Sequence, residues 1–309
     1  GYQYQRSGFL FDGGPTVITA PYMFDELFEA AGRKREDYFK LVPVDPYYRI
    51  FNEEGRHFDY CREREAMLEQ VRRWSPGDVE GYQRMMRYVE QVFERFYSLT
   101  DQPFLRFADM LKIMPDMIRM KAILPMYMQT ALHIKDPFLR RIFSFHPLLI
   151  GGSPFNTPSI FSLIMHVEKL WGVHYAIGGT GAIVAGLGRL FEELGGQLCL
   201  NTEVKEIVIQ NRRATGVKLG DGAVVPADAV VCNGDVTFAY RHLIPKDQQS
   251  NLTRWRLEKL TPSFSLVVIY FGTKRRYSDS PLAHHNVMMT NRYHGLLHDI
   301  HHSKTLPKD

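Results

Sequence analysis

A mixed α/β protein is what this sequence predicts, on three observations. Apolar residues recur at helical spacing through most of the segment from Arg62 to Ile134; short apolar runs separated by turn residues fill Gln197 to Asp235; and strand-turn-strand punctuation surrounds Asn52 to Gly55. With 309 residues and 45% apolar content the chain can bury a sizeable core. At about 150 residues per domain it has room for one large or two ordinary domains.

Taken in order, Gly8 to Ile18 (GFLFDGGPTVI) reads as a short strand entering a glycine turn. A helix follows from near Pro21, where Phe24, Leu27, Phe28 and Ala31 share one face. LVPVDPYYRIF and RHFDY, joined by Asn52-Glu53-Glu54-Gly55, have the form of a strand, a turn and a strand. From Arg62 to about Leu99, Met67, Leu68 and Val71 and then Met85, Met86, Val89, Val92 and Phe93 lie on one stripe. Pro76-Gly77 divides this stretch into two helices. After Gly195-Gly196 the pattern changes to successive strands, with Asp221-Gly222 as a hairpin turn and Ala229 to Cys232 as a short buried strand. Ser263 to Gly272 (SFSLVVIYFG) is expected to be a further buried strand, and the polar, histidine-rich end of the chain carries no assignment.

The 38 basic and 34 acidic residues leave a net charge of +4, too mild and too scattered for nucleic acid as the main partner. Cys61, Cys199 and Cys232 are odd in number and far apart, without the paired spacing of a zinc or redox site, so a reducing, cytoplasmic compartment is expected and a metal is not. No apolar run approaches the roughly 20 residues needed to span a bilayer. The start, GYQYQRSGFLF, has neither a signal peptide pattern nor an initiator Met, and the expectation is a chain that begins inside a longer gene product.

Phe104 to Ile134 holds six of the 13 methionines, interleaved with Lys112, Arg119 and Lys121 and interrupted by Pro115 and Pro125. One reading is a core helix pair with methionine filling gaps. The other is a flexible apolar surface, ringed by basic residues, that dips into a membrane interface and makes the protein a peripheral one.

Ile177 to Gly196 (IGGTGAIVAGLGRLFEELGG) carries five glycines in its first twelve residues and continues as a helix. It is not a dinucleotide fingerprint, because Val184 stands where the third glycine belongs and no acidic residue follows at the end of a second strand. Small residues there let a helix N-terminus approach other backbone or an anionic group closely.

In chain order, FDGGPTVI, FSFHPLLIGGSPF, WGVHYAIGGTGAIVAGLGRLFEELGG, NTEVKEIVIQNRRATGVKLGDG and ADAVVCNGD together resemble the bacterial phytoene desaturases, FAD-dependent carotenoid dehydrogenases related to the amine oxidases. The resemblance runs over nearly the whole chain. It implies an FAD/NAD(P)-binding Rossmann-like flavoprotein fold of the amine oxidase type, with a substrate-binding, membrane-associated helical domain. Residues 1–40 and 176–245 would belong to the FAD-binding domain, 41–175 to the substrate and membrane domain, and 246–309 to substrate-domain strands. The implied activity is an oxidoreductase placing double bonds in phytoene, towards lycopene, with FAD as hydride acceptor. A related FAD enzyme acting on another isoprenoid (a C30 desaturase, a carotenoid ketolase or an isomerase) and a flavin-free lipid-binding remnant are the alternatives. The family's GxGxxG turn and ribose-binding acidic residue precede Gly1, and its final glycine-rich segment follows Asp309, so a fold incomplete at both ends is expected. The oligomeric state stays open.

The resemblance also implies site residues. Gly13, Gly14, Pro15 and Thr16 lie near the isoalloxazine in relatives, and two glycines before a proline make a backbone able to pass beside a flat ring; a plain turn between strand and helix is the other reading. Gly179 and Gly181 start the helix leading to the strand of Val204, whose backbone lies against the adenine. Asn233 and Asp235 follow the adenine-side strand, although Asp235 is equally placed to cap a helix. Asp136 and Arg140 match positions assisting proton loss or cofactor placement, yet residues four apart also suit an ordinary helix ion pair. Phe145, His146 and Phe155 are the substrate candidates, in an apolar run from Phe143 to Leu163 that either lines a tunnel for an oily chain or is core. For His146 the alternative is a buried imidazole bonded to a backbone carbonyl.

Overall fold

The computed structural model describes residues 2–99, 107–260, 262–264 and 266–303; Phe104, Leu105 and Arg106 of the methionine-rich segment therefore lie outside the described residues. The chain divides into two compact units, Gly1–Leu190 with Ser263–Asp309 and Phe191–Pro262.

In the first unit, β1 (Tyr2–Arg6) and β2 (Phe9–Gly13) form an antiparallel hairpin. It closes through Ser7 and Gly8, both at positive φ, the geometry that matches the twist of the two strands. α1 (Tyr22–Ala30) begins after Pro21 and buries Phe28. β3 (Leu41–Pro43) pairs with β6 (His174–Ala176), while β4 (Tyr48–Phe51) and β5 (His57–Tyr60) make the hairpin expected around Asn52–Gly55. The unassigned end of the chain supplies β10 (Asn286–Met288), parallel to β4 on its free edge, and α11 (Tyr293–His302).

Helices α2 (Arg64–Trp74) and α3 (Val79–Phe96) flank the Pro76-Gly77 break. α4 (Phe107–Arg119) runs through Pro115, and α5 (Met126–Ala131), α6 (Pro137–Ile142), α7 (Leu163–Trp171) and α8 (Thr180–Glu193) follow. The main core lies where β4 and β5 meet α2, α3 and α6: Ile50, Phe58, Val71, Leu139 and Ile142 have no exposed surface. Each such side chain contributes about 1.5–3 kcal/mol by burial. A second cluster packs Phe28 of α1 against Ile183 and Leu190 of α8, and a third packs Val92 and Phe96 of α3 against Met117 of α4.

The strand expected over Ser263 to Gly272 is corrected: its described residues form no regular element, and Val267, Ile269 and Phe271 are 84%, 77% and 76% exposed. A strand needs a neighbouring edge to take its N–H and C=O groups, and no described strand runs beside it.

In the second unit, β7 (Val204–Gln210), β8 (Arg213–Leu219) and β9 (Val224–Pro226) form an antiparallel meander. Asn211 and Arg212 at positive φ turn β7 into β8, and Gly222, at φ 91°, serves the expected Asp221-Gly222 turn. Two short helices, α9 (Val236–Phe238) and α10 (Asn251–Lys259), follow. The buried strand expected over Ala229 to Cys232 is also corrected: the segment is irregular and Val231 is 93% exposed, for the same want of a paired edge.

Candidate functional site

Asp12 of β2 lies at the N-terminus of α8. Its Oδ1 accepts from the Gly181 N–H at 3.4 Å and from Gln3 Nε2 at 3.0 Å, and Gln3 Nε2 also donates to the Gly178 carbonyl at 3.1 Å. A Cβ at Gly179 would sit 1.7 Å from Asp12 Oδ2, and one at Gly181 would sit 2.1 Å from Gln3 Cδ. Gly179, at φ 79°, is thus required by its backbone and by the close approach of Asp12, whereas at Gly181 the exposed Gln3 side chain would have to move aside. A carboxylate fills the place that a phosphate takes at many helix N-termini.

That arrangement decides which described residues fit a flavin. The N-terminus of α8 does not fit its phosphates, because Asp12 occupies it. Gly13 to Thr16 does fit the edge of a flat ring: Gly14 and Pro15 are exposed, and the N–H groups of Gly14 and Thr16 have no partner among the described residues. In the second unit, Val204 opens β7 opposite Leu219, Asn233 is exposed in irregular chain, and Asp235 caps α9, its Oδ1 accepting from Phe238 N at 2.7 Å.

Asp136 and Arg140 form no ion pair with each other, so the i,i+4 pairing given as the alternative reading is corrected. Asp136 is the cap of α6, its Oδ1 accepting from Phe138 N at 2.9 Å and Leu139 N at 2.8 Å, because Pro137 at the first helical position leaves the next N–H groups to be satisfied. Arg140 Nε donates to the Ile134 carbonyl at 2.7 Å. Asp136 Oδ2 and the terminal guanidinium nitrogens of Arg140 have no partner among the described residues. The segment is clamped by Asp78, unmarked by sequence reasoning, which accepts from the backbone N–H groups of Lys135 at 2.7 Å and Asp136 at 2.8 Å and from the Ser75 hydroxyl at 2.9 Å. Burial acts to raise the Asp78 carboxyl, but these three donors outweigh it and hold it below the usual carboxylate range.

His146 is bonded to a carboxylate, not to a backbone carbonyl. Its Nε2 lies 3.0 Å from Glu168 Oε2, Glu168 Oε1 accepts from the Tyr48 hydroxyl at 2.8 Å, and the Glu168 backbone carbonyl accepts from Tyr47 at 2.9 Å. Burial first, and the Glu168 charge second, push the Tyr48 phenol above its ordinary value. His146 Nδ1 is buried without a partner among the described residues. The sequence signal for Glu168 was its position three residues after Met165, on the apolar face of α7.

The apolar run divides. Phe143, Phe145 and His146 are core, Leu149 and Ile150 are about half exposed, and Phe155 packs against Tyr127 and His294 at ring separations of 4.8 and 4.6 Å. None of Phe145, His146 and Phe155 lines the cavity of about 300 Å³ that lies between α2, α3 and α7. Among the described residues no group of three or more His, Cys, Asp or Glu is placed to hold a metal, and no helix is long and apolar enough to cross a membrane.

The pattern of the flavin containing amine oxidoreductase family matches residues 2–297. A phytoene desaturase (lycopene-forming) of Pseudescherichia vulneris is 41% identical over 309 residues, covering 100% of this chain and 62% of that protein. One of Pantoea ananas is 39% identical, also over 309 residues, with 62% of it covered. The chain therefore spans about 62% of the length of these curated relatives. Among solved structures, a putrescine oxidase variant redesigned in its cofactor binding has the same fold with a TM-score of 0.52 at 12% identity, over 80% of this chain and 53% of that one. Mixed α/β architecture, the shared fold and a family match over nearly all residues lead to one assignment: the chain belongs to the flavin containing amine oxidoreductases.

Proposed function

We propose that this chain is part of an FAD-dependent carotenoid desaturase that introduces double bonds into phytoene, towards lycopene. The observation that carries this reading is 41% identity to a lycopene-forming phytoene desaturase along all 309 residues. Removing hydrogen from an unactivated carbon chain needs a hydride acceptor, which is the chemistry FAD supplies when bound. The open backbone of Gly13, Gly14, Pro15 and Thr16 would border its ring system. Gly179 and Gly181, packed on Asp12 and Gln3, hold the turn into α8 close to that backbone. Val204, Asn233 and Asp235 are the proposed adenine-side residues. Asp136 Oδ2 is free to take a proton, and the Arg140 guanidinium to orient an anionic group; capping and the Ile134 bond fix both side chains in place. Phe145, His146 and Phe155 are the proposed substrate-side residues.

A peripheral membrane location is supported by α4, which leaves Met110, Leu111 and Ile118 exposed at 40%, 53% and 60% beside Lys112 and Arg119. The test is to express the full-length protein, load it with FAD and supply phytoene in liposomes. Longer-wavelength polyene absorbance is the expected result; folded, flavin-loaded protein that leaves phytoene unchanged overturns the reading.

A further inference from the structure

The cavity between α2, α3 and α7 has two kinds of wall. Its inner surface is apolar and buried, from Met67, Leu68 and Met165, with Met86 partly covered. Its mouth carries the exposed cations Arg62, Arg64, Arg87 and Lys169, against Glu90 as the single carboxylate of the lining. Arg62 donates to the Leu170 carbonyl at 3.0 Å, whereas Arg64, Arg87 and Lys169 have no partner among the described residues. Two phenols turn into the same space. Tyr60 and Tyr82 are 4% and 6% exposed, line the cavity and have no partner for their hydroxyls among the described residues. Burial drives both phenols above their ordinary value, so each stays an O–H donor at neutral pH.

A cluster of unpaired cations repels itself, and an anion at the mouth relieves that repulsion while the two phenols that line the cavity offer it O–H donors. The apolar inner wall asks for hydrocarbon behind that anion. The volume of about 300 Å³ is at the lower end of small-molecule pockets, which run from about 300 to 1,000 Å³, and is too small to enclose a C40 chain. A carotene also has nothing for the cations to hold. We propose that this cavity binds a single-chain anionic amphiphile, with its carboxylate or phosphate head held by Arg64, Arg87 and Lys169 and its alkyl chain between Met67, Met86 and Met165. The site is separate from the proposed flavin and substrate residues, and its existence does not depend on the carotenoid reading.

The test uses the full-length protein and isothermal calorimetry below the micelle concentration of each probe: dodecanoate, dodecyl phosphate, dodecanol and inorganic phosphate. Both anionic amphiphiles bind; dodecanol binds about tenfold more weakly or worse, and inorganic phosphate alone gives no heat. Tighter binding of dodecanoate assigns the site to free fatty acids, and tighter binding of dodecyl phosphate to a phosphate-headed lipid. The paired change Arg87→Gln with Lys169→Gln, both at exposed positions, lowers dodecanoate affinity about tenfold and leaves dodecanol binding and thermal melting where they were. Cys61, whose thiol burial pushes up to about 11, lines the cavity and reports occupancy. With Cys199→Ser and Cys232→Ser in place and alkylation read on the peptide that carries Cys61, dodecanoate slows alkylation of Cys61. Equal affinity for dodecanol and dodecanoate, an Arg87/Lys169 change without effect, or an unaltered Cys61 alkylation rate each overturns the proposal.

Discussion

His146 and Glu168 meet with Nε2 3.0 Å from Oε2, and neither side chain has exposed surface. The pair is tied to Tyr48 through the other carboxylate oxygen and to Tyr47 through the Glu168 backbone, joining β4, α7 and the segment after α6. Removing Glu168 leaves two buried polar groups, His146 Nε2 and the Tyr48 hydroxyl, without their acceptor, at about 1–3 kcal/mol each. Glu168→Ala should lower the urea midpoint accordingly. Tyr48→Phe, which deletes one bond to a charged acceptor, should cost about 1.5–3 kcal/mol. A midpoint shift for Glu168→Ala smaller than that for Tyr48→Phe contradicts this account.

Asp78 predicts a pH dependence. Its carboxyl is held below the usual range in the fold, so its contribution is fully present above the unfolded value of about 3.9 and disappears as pH falls through the folded value. Asp78→Asn should flatten that acid limb of stability, measured by urea titrations at a series of pH values. Asp78→Ala should cost about 1–3 kcal/mol at neutral pH, because the Lys135 and Asp136 N–H groups lose their acceptor. An acid limb unchanged by Asp78→Asn would show that other carboxylates set it.

Gly179 and Asp12 should be coupled. Gly179 lies at φ 79° and has Asp12 Oδ2 where a Cβ would go, so Gly179→Ala is expected to be strongly destabilising. Asp12→Ala alone should cost about 0.5–2 kcal/mol, the usual loss for a helix cap. In the double variant the clash is gone and only backbone strain remains, so the two effects should sum to more than the double variant shows. Simple additivity in thermal melts would refute the contact.

Membrane binding should be lost through the exposed side of α4. Leu111→Asp with Ile118→Asp is expected to reduce liposome flotation about tenfold or more while leaving thermal stability nearly unchanged. Met117 is 7% exposed and packs on Val92 and Phe96, so Met117→Asp should act on stability instead. Flotation that survives the Leu111/Ile118 pair removes α4 as the docking surface.

The helices α1 to α3, the β4–β5 hairpin and the Asp221-Gly222 turn were legible in the sequence, because apolar spacing and turn residues act over a few neighbours and need no distant partner. The family was legible for a related reason: five ordered motifs survive as strings. Burial was not. Val231 and the run from Leu266 to Phe271 look like core strands, yet a strand is made by the edge beside it, and local pattern does not say whether that edge is there. Six methionines marked one segment, but only packing against α3 decided that Met117 turns inward while Leu111 and Ile118 stay outside. Likewise Asp12 under α8, Asp78 under Asp136 and Glu168 beside His146 join residues 169, 58 and 22 positions apart. Hydrogen bonds and ion pairs fall off within a few ångströms, so such meetings belong to the tertiary fold and leave no periodic trace in the chain.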